Sequence, residues 1–175
     1  MTINPARLAG DPRFLSWLLL ALSGCAVATS LFVQHVLGID PCSLCVIQRL
    51  TYFACALAAA SAIALAGSRQ ARIGFTALAV VLAAGGLGVA AYQTWLQAFP
   101  PAHASCSAGF GMLLDDTAFE GIWRYVMDAP GDCREITFRI AGLSMAQASV
   151  LLFGVLGAVG ILRLRAERAL QRIAA

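Results

Sequence analysis

Four long apolar segments constrain the fold of this chain more than any other feature of its sequence. They cover about residues 14–36, 46–66, 73–96 and 143–162, and together they contain one charged side chain, Arg49. A helix that crosses the roughly 30 Å hydrocarbon core of a bilayer needs about 20 residues at about 1.5 Å each. We therefore expect an all-α membrane protein, a four-transmembrane-helix bundle that forms a single integral membrane domain over residues 1–175.

The composition agrees with this expectation and excludes other classes of protein. Hydrophobic residues make up 60% of the chain and charged residues 12%, whereas soluble domains have roughly 45–50% and about 25%. The net charge is only +3, and no run of basic residues occurs, so we expect no nucleic-acid partner. The first segment is longer than the apolar part of a signal peptide, and we expect a retained helix.

The distribution of charge predicts the orientation in the membrane. Four spans place both termini and the 67–72 turn on one side, and loops 37–45 and 97–142 on the other. Eight of the twelve arginines lie on the first side, whereas seven of the nine acidic residues lie on the second. Cytoplasmic segments carry the excess of basic residues, so we expect cytoplasmic termini and two outer loops, the second of them long.

This topology divides the six cysteines into four in the outer loops and two within the spans. The four outer cysteines are Cys42, Cys45, Cys106 and Cys133. Disulfides form and persist on the oxidising side of a membrane, so the outer cysteines fit two disulfide pairs. Cys25 and Cys55 lie mid-span, where small apolar packing residues are the simplest interpretation.

The C-x-x-C pair at residues 42 and 45 precedes the second apolar segment. A helix N-terminus favours an anion and lowers the pKa of a nearby thiol, which is typical of a redox-active pair. Two alternatives stay open. The pair is an inert local disulfide, or it is half of a zinc site that would need further ligands from Cys106, Cys133, His35 or His103.

Arg49 lies one helical turn after Cys45, within the second span. An arginine in a span is costly and rarely without a role, although its side chain can extend to the headgroups. A disulfide that oxidises a substrate must afterwards lose two electrons, and the chain has no haem, flavin or nucleotide motif. We therefore expect Arg49 to hydrogen-bond to a membrane-borne acceptor, for which a quinone is the simplest choice.

The second cysteine pair lies in the long outer loop, where Cys106 and Cys133 are 27 positions apart. A structural disulfide there would be worth roughly 3–4 kcal/mol in the chain-entropy model. The alternative is an exposed shuttle disulfide that a soluble protein thiolate attacks, passing oxidising equivalents between pairs. Between the two cysteines, residues 117–127 have apolar side chains near one helical face and predict a short interfacial helix; packing of this face on the soluble side is the alternative.

Several motifs in this order resemble the DsbB family, the bacterial inner-membrane disulfide oxidoreductases that reoxidise the periplasmic protein DsbA with quinone. They are Gln34-His35-Val36, Pro41-Cys42-Ser43-Leu44-Cys45, Gln48-Arg49, Leu96-Gln97, Pro100, Gly131-Asp132-Cys133 and Gly142-Leu143-Ser144-Met145. The resemblance covers about residues 19–162, and the common order and spacing of the motifs make it specific.

The resemblance implies a role for each candidate site residue. Cys106 would form the mixed disulfide with a DsbA-like periplasmic thiol oxidase, and Cys133 would exchange with Cys42. Cys45 would be the thiolate that meets ubiquinone or menaquinone, and Arg49 would contact that quinone. Gln93 stands where some relatives have a histidine, and it would be a further quinone contact. No metal is implied, and the protein would be multi-pass in the inner membrane, with periplasmic redox loops.

Other functions are disfavoured by the order and placement of the cysteines. In the vitamin K epoxide reductase-like class, the loop cysteines precede the C-x-x-C pair, whereas here the C-x-x-C pair comes first. A thiol-based metal carrier would place its pair in a span or at the cytosolic face. A membrane subunit with purely structural disulfides would tolerate the loss of Cys45 and Arg49.

Overall fold

The computed structural model describes residues 11–100, 129, 131–136, 138–140 and 142–174. Within them, four helices are long and apolar enough to cross a bilayer. They are α1 (Pro12–His35), α2 (Ser43–Ala64), α3 (Arg69–Ala98) and α4 (Met145–Ala174). Two-residue strands, β1 (Arg139–Ile140) and β2 (Leu143–Ser144), pair antiparallel just before α4. The prediction of an all-α four-helix membrane fold is confirmed. The interfacial helix predicted at 117–127 and Cys106 lie outside the described residues.

A side chain caps the start of each helix, where the first backbone N–H groups have no partner within the helix. Asp11 accepts from the amide of Arg13 before α1, and Ser68 accepts from that of Ala71 before α3. Ser144 and Gln147 form a reciprocal capping box at α4, since each side chain accepts from the backbone N–H of the other.

The helices form a ring in which α1 packs against α2 and α4, and α3 packs against the same two helices. In its centre, the rings of Tyr52 and Phe153 stack with centroids 4.1 Å apart. A Cβ on Gly86 would lie 2.4 Å from the Phe153 ring, and one on Gly160 would lie 2.5 Å from Val80. Small residues therefore allow close helix packing, as expected where lipid provides no hydrophobic drive between helices.

The outward faces of the helices carry large apolar side chains. Trp17, Val81 and Leu151 are each about 60% exposed or more, which suits contact with lipid rather than water. Near the end of α3, the exposed rings of Trp95 and Phe99 lie beside one another. Aromatic side chains are enriched at the boundary between lipid and water, and this pair marks the end of the bundle that holds the cysteines.

A buried ionic cluster joins three helices at the opposite end of the bundle. The side chain of Arg163 is 2% exposed and donates to Ser16 Oγ at 2.5 Å and to Thr76 Oγ1. Arg72 pairs with the buried Glu167, with 3.0 Å between Nε and Oε1. From these charged residues the sequence predicted only the orientation in the membrane. In the structure they also hold α1, α3 and α4 together.

Candidate active site

The C-x-x-C pair lies at the first turn of α2. Cys42 is the N-cap residue, and its Sγ accepts from the backbone N–H of Cys45 at 3.4 Å. The helix consequently begins at Ser43, three residues before the predicted boundary. The Cys42 thiol donates to Cys45 Sγ across 2.8 Å. This hydrogen bond, together with burial, raises the pKa of Cys42 above its ordinary value.

Two buried glutamines complete the surroundings of this pair. Gln93 Nε2, from α3, lies 3.3 Å from Cys42 Sγ and 3.2 Å from Cys45 Sγ. Gln93 Oε1 accepts from Gln48 Nε2, on α2, at 2.7 Å. Gln48 and Gln93 are 4% and 2% exposed. Gln48 was not predicted as a site residue, and the sequence signal that could have identified it is a polar side chain inside an apolar span.

The segment around Gly131 approaches Cys42 from the second loop. Gly131 forms a parallel bridge with Cys42, and its N–H donates to Pro41 O at 3.3 Å. A Cβ on Gly131 would lie only 2.8 Å from Cys42 N, so the residue must be glycine for the strands to meet at this distance. Cys133 follows two residues later, is fully buried and clusters with Cys42, Leu44 and Leu96.

The described cysteines differ in redox state. Cys133 is disulfide-bonded, whereas Cys42 and Cys45 are free thiols. Cys55 is buried, as expected of a packing residue, and its Sγ lies 3.8 Å from Ala79 O. Cys25 differs from its predicted packing role because it is exposed on α1 and lines a cavity beside Cys45. The position of a residue around a helix axis depends on how that helix packs, and composition does not reveal it.

An exposed ion pair lies in the turn that carries Cys133. Asp132 accepts from the backbone N–H of Arg134 at 2.9 Å, and the Arg134 guanidinium contacts both of its carboxylate oxygens. These hydrogen bonds lower the pKa of Asp132. The side chains are 36% and 40% exposed, so the pair contributes little to stability, but it fixes the turn in which the buried cysteine lies.

Arg49 is oriented by α1 rather than extended freely into the headgroups. Its Nε donates to Ser30 Oγ at 2.7 Å, and its Nη1 donates to Gln34 Oε1 at 2.5 Å. The side chain is partly buried. Fixing two guanidinium nitrogens in this way presents a defined positive charge to the space beside Cys45.

A cavity of about 360 Å³ adjoins Cys45 and Arg49 between α1, α2 and α4. Apart from Cys45, Gln48 and Arg49, its walls are Leu22, Cys25, Ala26, Thr29, Ser30, Tyr52, Met145, Ala148, Ser149 and Leu152. A mostly apolar pocket with a few convergent polar groups is typical of a small-molecule site. The volume and chemistry suit a flat apolar ring with carbonyl oxygens, for which Arg49 is a hydrogen-bond donor.

A second, smaller cavity of about 60 Å³ reaches the sulfur pair between Asp40 and Asp132. The described residues that line the larger cavity do not include Gln93, which lines the smaller one. A quinone contact from Gln93 therefore stays a prediction, whereas its contacts with the sulfurs are a feature of the structure. No group of three or more His, Cys, Asp or Glu that could hold a metal ion occurs among the described residues.

Comparison with known proteins agrees with this arrangement. The family model described as "Disulfide bond formation protein DsbB" matches residues 12–162. The Disulfide bond formation protein B of Neisseria gonorrhoeae is 43% identical over 123 residues, which cover 68% of this chain and 75% of the relative. Its counterpart from Neisseria meningitidis serogroup A is 40% identical over 139 residues, or 78% and 85% of the two chains. The protein of that name from Aromatoleum aromaticum is 30% identical over 138 residues, or 79% and 83%.

Because the match spans nearly all of the helical bundle and both sides of the sulfur site, the chain belongs to the DsbB family, transmembrane oxidoreductases of disulfide bond formation.

Proposed function

We propose that this protein oxidises the dithiol of a DsbA-like periplasmic protein and passes the two electrons to a membrane quinone. One observation carries the proposal. The Cys42–Cys45 pair lies between the Gly131–Cys133 segment on one side and the cavity beside Arg49 on the other. A redox pair between a loop disulfide and a membrane-facing cavity is suited to connect a soluble thiol with a lipid-soluble acceptor.

In the proposed reaction, a partner thiolate attacks Cys106 of a Cys106–Cys133 disulfide. This attack gives a mixed disulfide with Cys106 and releases the Cys133 thiolate. Cys133 then attacks Cys42 of the oxidised Cys42–Cys45 disulfide, and Cys45 leaves as the thiolate. The second partner thiol attacks the mixed disulfide, which releases the oxidised partner and the Cys106 thiolate. Cys106 then attacks Cys133 of the Cys133–Cys42 disulfide, which restores the Cys106–Cys133 disulfide and releases the Cys42 thiolate. The Cys42–Cys45 disulfide would re-form when this pair gives its two electrons to the membrane acceptor. Burial of Cys133 beside Cys42 supports the middle step, because attack requires the sulfurs to approach.

The larger cavity is the proposed quinone site. Ubiquinone or menaquinone, when bound, supplies the acceptor for two electrons and two protons. Arg49 would hold a quinone carbonyl oxygen near Cys45, and its bonds to Ser30 and Gln34 would keep the guanidinium in place. Leu22 and Leu152 would contact the apolar part of the molecule. The Cys45 thiolate released in the middle step would lie at the wall of the same cavity as Arg49.

We also propose the orientation that this reaction requires. Residues 1–175 would form one domain of the bacterial inner membrane, with cytoplasmic termini and redox loops in the periplasm. The arginine distribution supports this direction. So does the chemistry, since thiol oxidation needs the oxidising compartment.

The test is a coupled assay with the purified protein in lipid vesicles. A reduced DsbA-like protein is supplied with ubiquinone or menaquinone, and thiol loss and quinone reduction are followed together. We expect one quinone reduced per dithiol oxidised, and loss of both signals in Cys45→Ser. Cys55→Ser is the matched control, because Cys55 is buried away from both cavities, and it should retain activity. Thiol oxidation that does not depend on quinone or on Cys45 would refute the proposal.

A further inference from the structure

The paired glutamines Gln48 and Gln93 have a geometry that the reaction described above does not explain. Both primary amides are almost fully buried, and burying such a group is costly unless it is hydrogen-bonded. They are 45 positions apart in the sequence and meet across the α2–α3 interface through one 2.7 Å bond. A leucine or methionine at each position would bury an equal volume without this cost.

The direction of the Gln48–Gln93 hydrogen bond determines which end of the Gln93 amide faces the two sulfurs. An amide side chain has one accepting end and one donating end. Gln48 donates to Gln93 Oε1, so the carbonyl of Gln93 faces Gln48 and its NH₂ faces the cysteines. If Gln48 did not donate, the Gln93 amide could turn and place its oxygen against the sulfurs.

The Nε2 donor of Gln93 is most important when Cys45 carries a negative charge. A buried anion is stabilised strongly by N–H donors, and Gln93 Nε2 lies 3.2 Å from Cys45 Sγ. When Cys42 is joined to another cysteine, its thiol proton is gone and its own bond to Cys45 is lost. The amide of Gln93 then remains beside the thiolate. An amide does not titrate, so this donor is present at every pH.

We propose that Gln48 is a positioning residue that directs the Gln93 amide onto the Cys42–Cys45 sulfurs and so stabilises the Cys45 thiolate. The inference rests on the proposed function, since it concerns the same sulfur pair. Gln48 does not take part in electron transfer itself. It acts through the orientation of Gln93, and the two residues therefore form one unit whose loss is not additive.

The experiment measures the reactivity of Cys45 with a small alkylating reagent, as a function of pH and without quinone or partner. Cys42→Ala provides the background, because it removes the donating thiol without adding a hydroxyl donor and leaves Cys45 without its disulfide partner in the pair. Mass spectrometry reports the alkylation of Cys45 alone. Neither outcome depends on quinone turnover, so failure of this inference is distinguishable from failure of the proposed function. The charged groups lining the cavity beside the sulfurs are Asp40, Arg49, Asp132 and Glu135, and every variant keeps them.

In that background, Gln93→Met should move the midpoint of the pH profile upward by about one to two units, which corresponds to the loss of one hydrogen bond to a charged group. Gln48→Met should move it in the same direction. Adding Gln48→Met to Gln93→Met should produce no further shift, since the amide that Gln48 orients is already absent. Thr94→Val is the control, because Thr94 is next to Gln93 on α3 but its hydroxyl donates to Ala90 O, and its profile should match the background.

An unshifted profile in Gln48→Met would overturn the inference. The inference would also be overturned if Gln48→Met shifted the profile equally with and without Gln93→Met. Such additivity would mean that Gln48 acts on Cys45 independently of Gln93. If Gln48→Met does not fold, Gln48→Asn gives the same test, since its shorter side chain withdraws the donor while keeping an amide. A shift upward in Gln48→Asn supports the inference, and no shift refutes it.

Discussion

Gly131→Ala tests whether disulfide exchange requires the close contact between the second loop and Cys42. The added Cβ would lie 2.8 Å from Cys42 N and Pro41 C and 2.9 Å from Asp40 O. All three are backbone atoms, so no side-chain rotation relieves the contact. Ordinary contacts begin at 3.4 Å, and the two segments must therefore separate by about 0.6 Å, which also weakens the 3.3 Å bond from Gly131 N to Pro41 O.

This separation acts on Cys133, two residues further along the chain. A misplacement of about 1 Å can reduce a rate by about 100-fold, so we expect kcat for oxidation of the partner to fall by about 10- to 100-fold. The KM for quinone should stay within about twofold, because Gly131 does not line the larger cavity. Each tenfold loss corresponds to about 1.4 kcal/mol in activation free energy.

The assay is stopped-flow oxidation of the reduced partner at saturating quinone, followed by steady-state titration of quinone. Gly88→Ala is the matched control, since a Cβ there has no neighbour within 4 Å, and it should behave as the wild type. A Gly131→Ala protein that oxidises its partner at the wild-type rate would refute the reasoning. A large rise in the KM for quinone with unchanged kcat would refute it as well.

Three further variants test other parts of the structure. Ala148→Phe adds an aromatic ring to the wall of the 360 Å³ cavity and should raise the KM for quinone about tenfold or more, as measured by quinone titration; an unchanged KM would place the quinone elsewhere. Arg49→Met removes the donor beside Cys45 and should raise the same KM, while formation of the mixed disulfide with the partner, trapped by acid quenching, stays normal. Arg163→Met leaves Ser16 and Thr76 without their buried donor and should cost about 3–5 kcal/mol, or roughly 10 °C in Tm; a thermal-shift curve that matches the wild type would contradict this.

The sequence predicted the site residues that are close together along the chain, but not the contacts that depend on helix packing. Cys42, Cys45 and Arg49 fall within one short stretch of helix, where spacing alone places them on neighbouring turns. Gln93 was expected to contact the quinone because it stands where some relatives have a histidine; its contacts with the two sulfurs were not predicted. Cys25 was assigned to packing, but α1 is rotated so that this thiol lines the larger cavity.

The sequence by itself determined the properties that are local along the chain. The length and apolarity of each segment specify a spanning helix, and C-x-x-C specifies two sulfurs on one helical turn. These follow from interactions within about twenty consecutive residues.

Only the tertiary structure decided which distant residues meet. The pairing of Gln48 with Gln93, the contact of Gly131 with Pro41 and the burial of Arg163 against Ser16 join residues from 45 to 147 positions apart. Such contacts depend on the rotation and depth of each helix against its neighbours. Small residues such as Gly86 and Gly160 set that packing through close approach, and an apolar pattern that is nearly uniform around each helix does not encode it.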